Sequence, residues 1–325
     1  MMGYVLRRLA YGVLILLGVN LLTFVLFFAV NTPEDMARLN LGGKYVTAEA
    51  IEAWKSAHDL ADPLFFNSGA EGLDRITETV FWKKSVPLLR FEFGMSDTGR
   101  DIGYEISTRM WPSLFLALPT FLLGVIVMVG YSLLLVLFRG TKTEAAAVGL
   151  SVLFMSISGL FYIIIGQWLF AKVMRLFPVS GYADGVGAAV FLILPIVIGV
   201  FSRLGSDTLL YRAMFLEEIG KDYVRTARAK GLSEGRVLVR HVLRNAALPI
   251  VTSTVAVIPM LFMGSLIMES FFGIPGLGSY TIDALNAQDF SVVRTMVFLG
   301  TAAYVAGLLL TDIVYAVVDP RIRLA

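Results

Sequence analysis

The chain has no cysteine, and its 325 residues include only two histidines, His58 and His241. A disulfide framework and a thiolate metal site are therefore excluded, and a histidine-based metal site is not expected. Charge is also scarce, since 16% of the residues are Asp, Glu, Lys or Arg while 57% are hydrophobic. Together with a mean hydropathy of +0.76, this composition indicates a membrane protein.

Sequence signatures of catalysis are missing as well. The phosphate-binding pattern GxxxxGK[ST] is absent, because the stretch from Gly140 to Thr143 lacks the upstream glycine. HExxH and GxSxG do not occur either, which argues against a membrane-embedded hydrolase. No internal repeat supports an inverted-repeat transporter. We therefore expect no enzyme site, and no ATP hydrolysis by this chain.

A membrane protein needs apolar runs of about 20 helical residues to cross the hydrocarbon core, and this chain contains several long apolar runs. The first run is interpreted as a retained helix, because its apolar core is longer than that of a signal peptide and no small-x-small cleavage site follows. Six transmembrane helices are predicted. They are placed at Leu9–Val30, Pro112–Phe138, Ala145–Ala171, Gly187–Gly205, Ala246–Met268 and Thr295–Val318.

Lysine and arginine in the connections orient the chain, because they concentrate on the cytoplasmic side of membrane proteins. With six crossings, the basic residues before helix 1, between helices 2 and 3, between helices 4 and 5 and after helix 6 all lie on one side. The connection from Ser270 to Ser291 contains Asp283 and Asp289 but no basic residue. Both termini are therefore predicted to be cytoplasmic.

Residues 31–111 form a second polar region, which we interpret as an extracytoplasmic cap of short helices. A helix is predicted from Thr47 to His58 with Thr47 as its N-cap, and a loop is predicted at Asn67–Gly72. The predicted organisation is thus the N-terminal end and helix 1 at 1–30, the cap at 31–111 and a transmembrane core at 112–325 that includes a cytoplasmic loop at 206–245.

A basic tract, Asp222–Pro249, separates the fourth and fifth apolar runs. Leu216, Ile219, Tyr223 and Ala227 fall on one stripe of a helix, which Gly231 would end. Ser233 would cap a second helix that continues into the membrane, where Pro249 would kink it. An amphipathic helix on lipid headgroups and a docking helix for a soluble partner both fit. Nucleic acid does not, because no base-stacking aromatics interleave with the charges.

Prolines and charges inside the membrane runs are candidates for function. Pro249 and Pro259 could be gating hinges, although transmembrane helices also tolerate proline. Phe271–Gly278 is too glycine-rich for a helix and could shape an outer gate or be a plain turn. The ionisable groups within the runs lie near their ends, where snorkelling or helix-end pairing is expected. These groups are Glu269, Arg294 and Asp312.

Several segments along the chain resemble ABC-type permease subunits of the oligopeptide, dipeptide and nickel importer branch. Two features depart from the broader importer motif: Arg225 stands where that motif has Glu, and its Leu-Pro comes sooner after the glycine than Leu248 and Pro249 do. Both departures are usual in the peptide branch. The matching segments are Leu6–Leu9, Phe93–Ser96, Leu176–Gly181, Asp222–Pro249, Met268–Gly278, Asp289–Val293 and Val317–Arg323.

The resemblance implies an all-α membrane protein with the type I ABC importer transmembrane fold. The cap would lie between helices 1 and 2, and a helix between helices 4 and 5 would couple the chain to a cytoplasmic ATPase. The implied coupling residues are Asp222, Tyr223, Arg225, Thr226, Ala227, Arg228, Ala229, Lys230, Gly231 and Leu232. The possible gating residues are Pro249, Pro259, Gly273, Pro275, Gly276 and Gly278.

The resemblance also implies partners and a location. A second homologous permease subunit, one or two ABC ATPase subunits, an extracytoplasmic substrate-binding protein and the lipid bilayer are expected, with no nucleic acid. The chain would bind no cofactor, and ATP and Mg would be used by the ATPase subunits. It would lie in a bacterial or archaeal cytoplasmic membrane and carry peptides or a similar small solute. An ion-gradient-driven secondary carrier is the alternative.

Overall fold

A computed structural model of the chain describes residues 2–42, 46–255 and 257–318. Within these ranges the regular elements are helical, with one isolated β-bridge between Met95 and Asp101. Three π-helical segments lie at Val25–Val30, Gln167–Val173 and Leu238–Val242. The α-helices are α1 (Met2–Phe24), α2 (Pro33–Leu41), α3 (Ala48–Ala57), α4 (Asp74–Thr77), α5 (Val80–Leu89), α6 (Ile102–Leu137), α7 (Lys142–Ser156), α8 (Gly159–Gly166), α9 (Ala188–Ile219), α10 (Asp222–Ala229), α11 (Glu234–Val237), α12 (Leu243–Val255), α13 (Leu266–Phe272), α14 (Leu277–Ala287) and α15 (Phe290–Val318).

Five helical segments of the described chain are long and apolar enough to cross a membrane, and a sixth is possible if one bent pair counts as a single span. This agrees with the predicted all-helical membrane class. The arginines at 321 and 323, and most of the motif at 317–323, lie outside the described residues. The five segments are Leu6–Val30, Ile102–Leu137, Ala188–Ile219, Glu234–Met263 and Phe290–Val314.

The third predicted helix is not continuous. The segments Lys142–Ser156 and Gly159–Val173 meet at a bend of 92°. Ile157 is extended, and the hydroxyl of Ser158 accepts from the backbone N–H of Phe161, so that a new helix begins there. The prediction of one helix over Ala145–Ala171 is therefore wrong, because a serine N-cap inside an apolar run starts a second helix in a new direction.

Other predicted helix boundaries also change. The second helix begins at Ile102 and the sixth at Phe290, both earlier than predicted. The fourth helix does not end at Gly205, since α9 continues to Ile219. Arg203 does not terminate it, because its guanidinium pairs with Asp207 one turn later, at 2.8 Å. In the fifth span, Pro249 lies inside α12, whereas Pro259 is the second residue of a 3-10 turn, Ile258–Met263. The predicted end at Met268 therefore belongs to a separate helix, α13.

The chain divides into two compact units, and the first comprises residues 1–109 and 280–309. Its aromatic cluster is built around Phe24, whose ring lies 5.1 Å from that of Phe81. Short helices fill residues 33–89, and Thr47 caps α3 as predicted, its hydroxyl accepting from Ala50. The predicted domain division at residues 30 and 111 remains a prediction.

Arg294 ties three helices of this first unit together. It is buried (4% exposed), and Nη2 donates to Ser85 Oγ and the Lys84 carbonyl, each at 2.8 Å, and to Asn20 Oδ1 at 3.3 Å. Its guanidinium also lies 5.3 Å from the centre of the Phe28 ring. Neutral oxygens of the fold therefore solvate this buried charge in place of water, which differs from the expected snorkelling.

The second unit comprises, among the described residues, 110–279 and 310–318. Here α7 packs closely on α9 at Gly205, where a Cβ atom would lie only 2.6 Å from the backbone N of Met155. Ser132 of α6 donates to the Thr208 carbonyl of α9 at 2.8 Å. These contacts make α9 the central helix of the unit, and both candidate sites described below are built on elements joined to it.

Candidate functional site

Helix α10 is a short element between two backbone breaks. The long helix α9 ends at Ile219, and α10 begins after Lys221, whose backbone is extended. It ends at Ala229 with Lys230 as its C-cap, and Gly231 follows with φ +78°, a left-handed conformation that favours glycine. Gly231 N–H donates to the Arg228 carbonyl at 2.9 Å. The predicted helix end at Gly231 is therefore confirmed.

The inner face of α10 packs into the core of its own unit. Val224 is fully buried and Ala227 is 4% exposed, beside Phe215 and Val237. The residues of the predicted apolar stripe pack inward, as predicted. They do not lie on one continuous helix, because Gly220 and Lys221 separate α9 from α10. Ala227 therefore cannot form part of an exposed docking surface. Val224, absent from the predicted set, is the best-buried residue of the helix.

Tyr223 anchors the start of α10. Its hydroxyl donates to Glu218, which also accepts from Lys221, so one carboxylate at the end of α9 receives both side chains. Burial, followed by the hydrogen bond to Glu218, raises the pKa of Tyr223 to about 12. The phenol therefore stays protonated at physiological pH and keeps donating to Glu218, which fixes the angle at which the chain leaves α9.

The outer face of α10 carries the polar residues. Arg228 makes two hydrogen bonds to Glu234 of α11, Nε to Oε1 at 2.7 Å and Nη2 to Oε2 at 3.1 Å. This fork joins α10 to α11 across Gly231. The predicted N-cap position of Ser233 is correct, but its side chain makes no cap hydrogen bond. The exposed coupling candidates are Asp222, Arg225, Thr226, Arg228, Ala229, Lys230 and Gly231, whereas Tyr223 and Leu232 are half-buried.

A second cluster gathers around the carboxylate of Glu269. This residue is fully buried, and Oε1 accepts from Ser113 Oγ at 2.8 Å and from the Ser265 N–H at 3.0 Å. Oε2 accepts from the Ser279 N–H at 3.1 Å. Of the two expectations for Glu269, snorkelling is wrong, because three donors of the surrounding fold solvate the carboxylate in place of water.

Some predicted gating residues lie at this cluster and others do not. A Cβ at Gly276 would strike Glu269 and Ser113, and a Cβ at Gly278 would lie 2.6 Å from the Ser265 carbonyl carbon. Gly273 ends α13 in the left-handed conformation, so it and Pro275 belong to the connection from α13 to α14. Pro249 and Pro259 lie elsewhere, within α12 and the following turn. The six residues therefore do not form one site.

Sequence reasoning did not foresee a pair of adjacent cavities along α6 and α9. The first is closed by α12, and the second by the 3-10 turn and α13. Their volumes are about 220 Å³ and 230 Å³. Arg203 lines both cavities and Asp207 lines the first, in the middle of a membrane-length helix. The sequence feature that could have indicated these cavities is an Arg–Asp pair, four residues apart, within a longer apolar stretch. The residues common to both cavities are Thr120, Phe121, Gly199 and Arg203.

Comparison with known proteins covers nearly the whole chain. Residues 114–324 match the family described as binding-protein-dependent transport system inner membrane component. Residues 1–69 match the N-terminal family of the same membrane components. A peptide transport system permease protein of Brucella abortus is 30% identical over 99% of both chains.

Two further relatives are similar over comparable lengths. An oligopeptide transport system permease protein of Bacillus subtilis is 29% identical over 99% of this chain and 100% of its own. A glutathione transport system permease protein of Salmonella paratyphi A is 29% identical over 99% of both chains. The similarity therefore extends from one end of the chain to the other in each case.

Proposed function

Because the chain belongs to the family of binding-protein-dependent transport system inner membrane components, we propose that it is a permease subunit of an ATP-driven importer of peptides or similar small solutes. The relatives whose names refer to peptides, oligopeptides and glutathione support this cargo class. A second permease subunit completes the pathway, ABC ATPase subunits use ATP and Mg, and a binding protein delivers the cargo. The chain itself hydrolyses nothing.

Six crossings of the bacterial or archaeal cytoplasmic membrane are part of this proposal. Each arm of the bent segment, Lys142–Ser156 and Gly159–Val173, is shorter than the ~20 residues that cross a bilayer. If the pair only entered and returned, α10 and the basic Arg139–Lys142 connection would lie on opposite sides. The concentration of positive charge on one side favours a pair that crosses. Both termini and α10 are then cytoplasmic, and residues 31–111 form the external cap.

One observation carries the coupling role of α10: the helix buries its apolar face in its own unit while its charged face stays exposed. An amphipathic helix on lipid would instead turn its apolar face outward, into the headgroup region. Here Val224 and Ala227 are buried, and Arg225 and Asp222 keep 76% and 95% of their side chains exposed. The polar face is therefore available to a soluble partner, which we propose is the ATPase.

Ala229 offers the sharper test of docking. A side chain at Gly231 would strain the backbone whatever its surroundings, because φ is +78° there. A loss of function in such a variant could then come from misfolding as well as from lost docking. Ala229 is exposed in the ordinary helical conformation. Ala229→Trp adds bulk only on the outer face. We expect the variant to remain in the membrane, to lose most of the co-purifying ATPase and to lose ATP-driven uptake.

The same substitution at Ala145 is the matched control, since Ala145 is exposed near the start of α7 and lies outside α10. Ala145→Trp should retain the ATPase and transport. Normal co-purification and uptake in Ala229→Trp would show that α10 is not the docking element. Uptake by vesicles that hold this chain without ATP or partner subunits would instead support a secondary carrier.

A further inference from the structure

The two cavities contain one charged pair in otherwise apolar and hydroxyl-bearing walls. Arg203 donates from Nε to Asp207 Oδ2 at 2.9 Å, and its Nη2 lies 2.8 Å from the same oxygen as an ion pair. The other oxygen, Oδ1, accepts from Ser206 Oγ at 3.2 Å. The carboxylate of Asp207 thereby fixes the orientation of the guanidinium and neutralises it within a helix of membrane length.

The pair is asymmetric in its exposure. The Arg203 side chain is 49% exposed, whereas that of Asp207 is 18% exposed. A guanidinium has five N–H donors in a planar fork, and the hydrogen bond to Asp207 uses the one on Nε. If the pair only neutralised charge in the bilayer, both groups would be expected to turn inward. The exposed part of Arg203 instead faces the space of the cavities.

Four hydroxyls in the cavity walls are polarised in the same way. Each donates its hydrogen to a carbonyl of its own helix: Thr120 to Leu116, Ser202 to Gly199, and Ser253 and Thr254 to Ile250. Their oxygens therefore remain as acceptors. The cavities thus offer a cationic donor at Arg203 and hydroxyl acceptors near it, a combination complementary to a solute with a carboxylate and N–H groups.

The size of the space indicates how such a solute would be held. Complete small-molecule pockets span roughly 300–1,000 Å³. At about 220 Å³ and 230 Å³, each cavity is smaller than this, and the two share four lining residues. A groove of this kind forms one wall of a site that a second subunit would close, as the proposed function requires.

We propose that Arg203 binds the terminal carboxylate of the transported peptide and that Asp207 is the positioning residue that holds the guanidinium toward the groove. Arg–carboxylate pairs form two parallel hydrogen bonds, which suits recognition of a chain terminus whose side chains vary. The hydroxyls of Thr120, Ser253 and Thr254 accept from the peptide N–H groups. This inference rests on the proposed function, since it assigns the residue that selects a free carboxyl end.

The test uses the whole transporter, with its second permease subunit, ATPase and binding protein, in proteoliposomes. The probes are tri-alanine and its C-terminal amide, and the measured quantity is the ratio of their ATP-driven uptake. The binding protein is identical in every preparation, so a change in this ratio reports on the permease. Arg203→Gln should lower the preference for the free carboxylate about tenfold or more, with little change for the amide.

Two variants separate carboxylate binding from a structural role. Asp207→Asn keeps an amide oxygen that can accept from Arg203 and so hold the guanidinium in position, but it removes the competing negative charge. Its preference for tri-alanine over the amide should therefore be retained or increased. Arg212→Gln is the same change about two and a half turns further along α9, at a residue paired with Glu144 outside the cavities, and should leave the ratio unaltered. Assembly of each variant is checked by its basal ATPase activity.

Each result leads to a distinct conclusion. If the wild-type complex transports neither probe, while it moves ions or other solutes without ATP, the proposed function fails. If it transports tri-alanine and Arg203→Gln keeps the full preference, only the carboxylate assignment fails. If Arg203→Gln does not assemble, Asp207→Asn provides the test. A loss of the preference for tri-alanine in that variant would mean that the Arg203–Asp207 pair serves structure and not recognition.

Discussion

The hydroxyl of Ser113 in α6 donates to the buried carboxylate of Glu269 in α13 at 2.8 Å, across 156 residues of sequence. The same hydroxyl oxygen accepts from the Leu277 N–H at the start of α14, also at 2.8 Å. One serine therefore links the carboxylate to the backbone of the next helix. With the Ser265 and Ser279 N–H groups, this network fixes the glycine-rich connection from α13 to α14.

Replacing Glu269 by glutamine should destabilise the protein. The amide keeps one acceptor oxygen but introduces an NH₂ group toward N–H donors that the carboxylate now satisfies. Leaving buried donors unsatisfied costs about 1–3 kcal/mol, so Glu269→Gln should lower the midpoint of thermal unfolding of the purified protein. Ser113→Ala should do the same, because it removes a donor to Glu269 and an acceptor for Leu277.

Ser107→Ala serves as the control for these two variants. Ser107 lies in the same helix as Ser113, but it is exposed and donates only within its own helix, to the Tyr104 carbonyl. Its replacement should leave the unfolding midpoint nearly unchanged. If Glu269→Gln unfolds at the wild-type temperature, the cluster does not stabilise the connection between α13 and α14.

Gly205 should be intolerant of any side chain. A Cβ there would clash with the Ser151 carbonyl oxygen and lie 2.6 Å from the Met155 N, and both are backbone atoms of α7 that cannot rotate away. Overpacking of this kind costs about 1–3 kcal/mol. Gly205→Ala should therefore lower the unfolding midpoint of the purified protein and reduce the yield of the assembled complex.

A second glycine in a long helix provides the comparison. Gly130 of α6 has no heavy atom within 4 Å of the place a Cβ would occupy. Gly130→Ala should be neutral or slightly stabilising, because alanine favours helix more than glycine does. Equal effects at the two positions would mean that the close approach of α7 to α9 does not limit stability.

Asp97 and Asp289 provide a pH dependence in the first unit. Asp289 is 5% exposed and accepts from the Asp97 N–H at 3.1 Å. Burial, followed by the nearby Asp97 carboxylate, raises the pKa of Asp289 above its ordinary value. The folded state therefore holds this proton more tightly than the unfolded state does. Its contribution to stability is full below the unfolded pKa of about 3.9 and is lost as the pH rises through the folded value.

Asp97→Asn should reduce this loss. The asparagine keeps an oxygen for the Ser291 hydroxyl, which donates to Asp97 Oδ1 at 3.0 Å, but it removes the neighbouring charge. The pKa of Asp289 then falls. The stability of the variant therefore decreases less between pH 4 and pH 7 than that of the wild-type protein does. The unfolding midpoint measured between these pH values gives the difference. Asp283→Asn, at an exposed acid of α14, should reproduce the wild-type profile.

Local sequence patterns predicted the elements that depend on neighbouring residues. The cap at Thr47 and the helix end at Gly231 follow from side-chain and backbone preferences within a few positions, and the structure contains both. The 92° bend was missed because Ser158 stands inside an apolar run, where hydropathy outweighs a single cap. The partners of Glu269 were also missed, because Ser113 lies 156 residues away and no local pattern connects the two.

The bent segment leads to a final prediction about topology. Since the chain has no cysteine, a single introduced thiol reports which side of the membrane it occupies. Asp184 lies after the bent pair, and Lys230 follows α10; both are exposed. If the pair crosses the membrane, Asp184→Cys should react with an impermeant maleimide in intact cells. Lys230→Cys should react only after the membrane is opened.

The alternative topology gives the opposite pattern at both sites. A pair that enters and returns would place Asp184 in the cytoplasm and Lys230 outside, because every later connection changes sides. Ala145→Cys, beside the Arg139–Lys142 connection that precedes the bend, is the reference and should be protected in intact cells under either arrangement. Labelling of Lys230→Cys from outside would therefore place α10 beyond the reach of a cytoplasmic ATPase, and the coupling proposal would fail with it.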